Sequence, residues 1–186
     1  MHRDGWKTSR GVAHAQIGLC LVTASNVCCG NYRFEMLRQA VTADIPGIQR
    51  VRHSVRENRL ASTTITDEDV RRSIEETGRG WIVESNGEVV GFAIGNARTG
   101  NVWALFVHPE HERRGYGRLL HDTMVEWLWS QGLARLWLTT RPHTRAQAFY
   151  EVAGWRLHGY TDFGEARYEL RNPRSPSAES SARSDA

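Results

Sequence analysis

The run Leu105-Phe106-Val107-His108-Pro109-Glu110-His111-Glu112-Arg113-Arg114-Gly115-Tyr116-Gly117-Arg118-Leu119-Leu120 carries the strongest chemical signal in the chain. An apolar stretch enters a polar loop, two glycines follow, and a helical repeat leaves it. The start of a helix offers unpaired N–H groups and the positive end of a dipole, both suited to phosphate oxygens. Glycine permits turns with positive φ and lets a phosphate approach the backbone. Arg113, Arg114 and Arg118 add charge-assisted donors. The residue types read as a pyrophosphate cradle, with a plain tight turn as the alternative for the loop taken alone. Two other phosphate loops are excluded. A Walker loop needs Gly-Lys-Ser/Thr, and no lysine stands here. The dinucleotide fingerprint needs a third glycine where Leu120 stands.

A second constellation is His143-Thr144-Arg145-Ala146-Gln147-Ala148-Phe149-Tyr150, closed by Gly154-Trp155. Tyr150 offers a phenolic proton, and beside Phe149 it also reads as core packing. His108, His111 and Glu112 do not make a metal site: Pro109 disfavours the helix of an HExxH motif, and Gly115 stands where its second histidine belongs. No metal is expected. Trp81, Trp103 and Trp137 fall on expected strands, as packing residues or as lining of an acceptor pocket.

These groups need a frame. Tyr32, Phe34 and Met36 alternate with Arg33 and Glu35, which predicts a half-buried strand over 32–39. Thr42 and Asp44 open a helix, with Pro46 in its first turn, and Ile48, Val51 and Val55 carry it to about Arg56. Thr66 with Asp69 makes a capping box for a helix through Glu76. Asn86-Gly87 joins strands 81–84 and 89–94 as a tight hairpin. A strand at 102–107 leads into the glycine loop and a helix over 116–130, with Leu120, Met124, Trp127 and Leu128 as its apolar stripe. A strand at 136–140 follows. Thr144 with Gln147 then reads as a capping box for a helix over 146–152, and strands at 155–160 and 165–171 complete the pattern. Hairpins mixed with helical crossovers imply one mixed α/β (α+β) domain, a sheet with helices on its faces.

On the glycine loop and the Tyr150 segment, in that order and on those elements, the chain resembles the GNAT superfamily of acyl-CoA-dependent N-acyltransferases over nearly all of residues 31–171. In that family Gln/Arg-x-x-Gly-x-Gly/Ala binds the CoA pyrophosphate; here Gly115 and Gly117 match, and Glu112 takes the Gln/Arg position. The family's Asn-x-x-Ala-x-x-x-Tyr is met by Ala146 and Tyr150, with His143 in place of Asn. The resemblance implies a single domain with a central, mostly antiparallel mixed sheet of about six to seven strands and about four helices. It implies acetyl-CoA as the acyl donor. Leu105, Phe106 and Val107 would pair with the pantetheine arm; Arg113, Arg114, Gly115, Tyr116, Gly117 and Arg118 would hold the pyrophosphate, with His143 and Tyr150 also on the cofactor. Tyr150 would protonate the departing thiolate. Relatives often take their base from strand four or five, where this chain has no carboxylate. Glu57 is the favoured substitute, with Glu84, Glu165 and water as the other routes.

The chain has 186 residues, 40% hydrophobic and 24% charged, with net charge +3, which is an ordinary balance for one domain. That charge announces no nucleic-acid partner, and Asp67, Glu68, Asp69, Glu75 and Glu76 make the second helix acidic. Only Lys7 is lysine among the 24 basic residues, so nearly every cation is a planar fork. The 3 cysteines, Cys20, Cys28 and Cys29, form no disulfide framework, and a reducing cytoplasm is the expected setting. Residues 1–30 read as an extension that is poorly ordered or non-native rather than a membrane span, and residues 172–186 as a disordered tail. The expected activity is acetyl transfer from acetyl-CoA to a primary amine of a small molecule or peptide. The alternatives are a non-catalytic acyl-CoA sensor and an acetyltransferase acting on charged tRNA. Homodimers are common in the family.

Overall fold

The computed structural model describes residues 35–55 and 65–175. The start of the first expected strand, Glu57, the extension and the end of the tail lie outside them.

Among the described residues, seven strands form one sheet: β1 (Glu35–Gln39), β2 (Gly78–Ser85), β3 (Glu88–Asn96), β4 (Asn101–Val107), β5 (Arg135–Thr140), β6 (Arg156–Tyr160) and β7 (Ala166–Arg171). Their order is β1-β2-β3-β4-β5-β7-β6, and only β4 and β5 run parallel. The mixed fold expected from the pattern is therefore present. Asn86 and Gly87 take φ of 56° and 79°, the paired positive values a two-residue hairpin turn demands. The strands it joins are longer than the apolar runs suggest, because backbone pairing carries on past them to Gly78 and Asn96.

Four α-helices among the described residues cover the faces: α1 (Ile45–Ser54), α2 (Asp67–Glu75), α3 (Tyr116–Ser130) and α4 (Arg145–Val152). Ile45, Ile48 and Val51 of α1 join Val70 and Ile74 of α2 over Ile82, Phe92 and Ile94. On the other face Leu120, Met124 and Leu128 of α3 have no solvent exposure and pack with Trp81, Val83 and Leu136. Truncating any of the three to alanine costs about 2–5 kcal/mol, through lost transfer energy and the cavity left behind. At the entry to α1, Asp44 accepts from Arg38 at 2.7 and 2.8 Å and from the Val41 amide at 2.8 Å. The Arg38 guanidinium thereby holds the Asp44 carboxyl below its ordinary range. The Thr66–Asp69 box forms in both directions: the Asp69 amide donates to Thr66 Oγ1 at 3.2 Å and the Thr66 amide to Asp69 Oδ2 at 2.9 Å.

Two expectations are corrected. Helix α1 ends at Ser54 rather than near Arg56, because Val55 is extended and Ser54 Oγ takes up the Val51 carbonyl at 2.7 Å. The Thr144–Gln147 box is only half made. Thr144 Oγ1 accepts from the Gln147 amide, but the Gln147 side chain accepts from His143, which is left-handed at φ 62° and presents its own N–H there. At the end of β7, Asn172 and Arg174 are tied to the domain although their composition reads as tail. Asn172 donates twice, to Ala134 O at 3.0 Å and Leu133 O at 3.1 Å, and Arg174 pairs with Glu126 at 2.8 Å.

Candidate active site

Parallel pairing between β4 and β5 is confined to one position, Asn101 opposite Trp137. Trp137 fastens it: its amide donates to Gly100 O at 2.9 Å, its indole to Thr99 O at 3.0 Å, and its carbonyl accepts from Asn101 Nδ2 at 3.3 Å. Beyond that knot the strands part. Leu105, Phe106 and Val107 stay paired with Ala93, Phe92 and Gly91 on one side. Their other edge meets no strand among the described residues, so its N–H and C=O groups call for a partner of another kind.

A cavity of about 430 Å³ opens at this parting. Leu105, Phe106 and Val107 wall it on one side, and Thr140 marks the end of β5. Gly115, Tyr116, Gly117 and Arg118 border it from the start of α3, and Thr144, Ala146, Phe149 and Tyr150 from α4. The structure thus brings the two sequence constellations to one place.

The glycine loop is built as its residues suggest. Arg113 at φ 59° and Gly115 at φ 86° turn the chain into α3, and Gly115 is its N-cap. The first helical bond runs from the Leu119 amide to Gly115 O at 3.0 Å. The amides of Tyr116, Gly117 and Arg118 precede it and have no helical acceptor. A Cβ at Gly117 would have only Val107 and Phe149 as neighbours, at 3.8 and 3.9 Å, so its missing side chain keeps cavity space open rather than relieving a clash. Arg113 and Arg118 line the cavity; Arg114 does not, and reaches back to Glu110 O at 3.3 Å. Arg118 also pairs with Asp122 at 2.8 Å. The Tyr116 hydroxyl donates to the Glu35 carboxylate, which ties the loop to β1. Burial, and then that carboxylate, push the phenol upward.

Tyr150 is buried, and its hydroxyl has no hydrogen-bond partner among the described residues. Burial alone pushes the phenol above its ordinary value, and like any phenol it carries its proton at pH 7. Its ring is held edge-on by Phe149 and Trp155, at centroid separations of 5.3 and 5.7 Å. Behind them, Trp155 Nε1 donates to His121 Nε2 at 2.9 Å. An indole only donates, so His121 is neutral there, and its Nδ1–H donates to Asp122 at 2.7 Å as a hydrogen bond rather than an ion pair. Desolvation is the main cause that holds this imidazole below its ordinary value.

Other expected site residues fall elsewhere. His143 does not line the cavity; its backbone serves the start of α4 instead. Glu84 is bound to Arg38 at 2.6 Å, and Glu165 is not in the lining. The one carboxylate among the described lining residues is Glu112, and Arg145 occupies it at 2.5 Å. Sequence reasoning overlooked Arg145, Phe149, Thr140 and Val55 as lining residues. Arg145 had a readable signal, a cation in the first turn of the Tyr150 helix; Val55 and Thr140 had none. Among the described residues no group of three or more metal-ligating side chains occurs, and no helix is long and apolar enough to cross a membrane.

Residues 48–155 match the model of the acetyltransferase (GNAT) family, more than half of the chain. The chain belongs to the GNAT family. Acetyl transfer with acetyl-CoA as donor is the activity this membership brings. No curated protein matches the sequence. Solved GNAT-fold structures resemble the domain along almost their whole length. The ribosomal-protein-S18-alanine N-acetyltransferase from Escherichia coli is 23% identical, with TM-score 0.58, covering 79% of this chain and 98% of its own. PaiA N-acetyltransferase from Thermoplasma acidophilum, in complex with coenzyme A, is 14% identical with TM-score 0.64, covering 75% and 99%. YncA from Salmonella typhimurium, solved with its cofactor acetyl-CoA, is 17% identical with TM-score 0.61, covering 78% and 98%. At these identities the likeness is one of fold.

Proposed function

We propose that this GNAT domain moves an acetyl group from acetyl-CoA to a primary amine of a small molecule or peptide, by direct attack, with Tyr150 as general acid. The observation that carries the reading is that Tyr150 and the unpaired edge of Leu105–Phe106–Val107 border the same cavity as the start of α3. The residues fit the donor: a strand edge suits the amide-bearing arm, and the first-turn amides, the bare Gly117 and Arg113 with Arg118 suit the pyrophosphate. Bound acetyl-CoA supplies an activated thioester. The β4 amides steady the charge that develops on the acyl oxygen. Tyr150, whose phenol carries its proton at neutral pH, gives it to the sulfur as the C–S bond breaks. The amine loses a proton to Glu57 or to water, since Glu112 is committed to Arg145.

Tyr150→Phe removes the hydroxyl and keeps the ring. Turnover with a good amine should fall about 10²–10⁴-fold, with acetyl-CoA affinity and melting temperature little changed. Unchanged turnover in a well-folded variant removes Tyr150 from the chemistry.

A further inference from the structure

Arg52 of α1 differs from the arginines that carboxylates hold in place. Arg38 is engaged by Asp44 and Glu84, and Arg71 by Glu68, Glu75 and Glu76. The Arg52 guanidinium has no carboxylate partner among the described residues and is surrounded by rings: Trp103 at 4.8 Å, Phe106 at 5.2 Å and Phe92 at 5.5 Å from their centroids. Trp103 arrives there through a bulge. Ile94 pairs with Ala104 and Gly95 with Val102, so Trp103 is the extra residue of β4 and packs on the α1 face with Ala104.

The rings surround the cation but accept no hydrogen bond from it. Nε and Nη2 of Arg52 are both buried without a hydrogen-bond partner. These two nitrogens share one edge of the guanidinium, and their N–H bonds point the same way, as a two-pronged fork sized for a carboxylate. Cation–π packing accounts for the position of the cation. It does not account for two buried, unanswered donors, which cost stability until something accepts from them. Burial pushes the guanidinium down to about 10, so it is still charged at neutral pH. The place is also suitable. Phe106 lines the cavity, and so does Val55, one turn beyond Arg52 at the end of α1.

We propose that Arg52 anchors a carboxylate of the acceptor, and that the substrates are therefore amino carboxylates, whose amine reaches the cavity while the acid end sits on the α1 face. This rests on the acetyl-transfer reading above. One cation among apolar rings balances a single negative charge, which favours a carboxylate over a doubly charged phosphate. Arg52 as a residue is half-buried while Nε and Nη2 are covered, so a carboxylate would engage the fork once the side chain swings out from between the rings.

The test follows CoA release by the full chain with L-amino acids and ω-amino acids of increasing length, each beside its carboxamide. For at least one pair the acid should exceed the amide by about 10–100-fold in kcat/KM, the range for charge-assisted bonds. In Arg52→Met, which retains length and apolar packing, that ratio should fall to about one through loss on the acid alone, with the acetyl-CoA thermal shift intact. No advantage for any acid in the parent, or an advantage that Arg52→Met retains, overturns the proposal. If Arg52→Met does not fold, Arg52→Lys must cut the ratio about tenfold, because it keeps the charge and loses the fork. Absence of an acetyl-CoA thermal shift in the parent condemns the acetyl-transfer reading instead. Arg52 is then judged by titrating acetate against tryptophan fluorescence: a saturable change in the parent that Arg52→Met lacks supports the anion site, and no such change refutes it.

Discussion

Glu112 and Arg145 bind each other at 2.5 Å, one on the glycine loop and the other at the first position of α4, and both line the cavity. The pair sets the electrostatics of the loop, because Glu112 stands where the family usually has Gln or Arg. On the proposed reading, with the CoA diphosphate at this loop, Arg145 offsets a carboxylate that would otherwise repel it. Arg145→Ala should weaken CoA binding about tenfold at low salt and less at high salt, since partly exposed charges are screened. Adding Glu112→Gln to that variant should restore most of the affinity. Calorimetric titration of the parent, both single variants and the double variant checks it; a double variant no better than Arg145→Ala contradicts the role given to the pair.

Gly117→Val tests the cradle. The added Cβ meets only ordinary contacts at 3.8 and 3.9 Å, and valine is no worse a helix former than glycine, so α3 and the fold should persist. The branched side chain would still fill space beside the first-turn amides. The variant should lose the thermal shift that CoA gives the parent, and a retained shift would move the phosphate site elsewhere.

His121 predicts a pH dependence of stability. Its folded pKa lies below the ordinary 6.5, chiefly because burial disfavours the charged ring. The unfolded chain therefore takes up the proton first as pH falls. The contribution of the neutral ring is present above about pH 6.5 and is lost below it. The hydrogen-bonded carboxyls Asp44, Asp122 and Glu151 are depressed too, but from the carboxylate range, so they keep their contributions until more acidic pH. The melting temperature should drop between pH 7.5 and 5, and His121→Gln should flatten that drop. Equal slopes for the two proteins would show that His121 is not the titrating group.

Cutting the chain after Arg171 should be worse than cutting it after Ser175. The shorter chain loses both Asn172 bonds to the segment before β5 and the Arg174–Glu126 pair. Each hydrogen bond contributes about 1 kcal/mol, so the two proteins should differ by roughly 5 °C in melting temperature. Identical melting curves would mean that the bonds to Asn172 contribute nothing.

Elements that depend on near neighbours were readable in the chain itself. Asn86-Gly87 dictates its hairpin because the turn needs two residues that tolerate positive φ. Thr66–Asp69 dictates a helix start, and α3 runs over 116–130 as its stripe of Leu120, Met124 and Leu128 requires. The glycine loop and the Tyr150 helix could be read for the same reason: each is a short-range pattern of types and spacing. His143 takes a left-handed backbone and lies outside the cavity lining, and spacing encodes neither.

Tertiary structure alone decided the rest, because it concerns partners far apart in the chain. The parting of β4 from β5 beyond Asn101 and Trp137 creates the cavity, and no local signal marks where two parallel strands stop pairing. The Glu112–Arg145 bond spans 33 residues and the Trp155–His121 bond 34. Arg52 reads in the sequence as one more cation on a helix. Only the stacking of α1 on β3 and β4, with the bulge at Trp103, buries its edge among rings and leaves two donors unanswered.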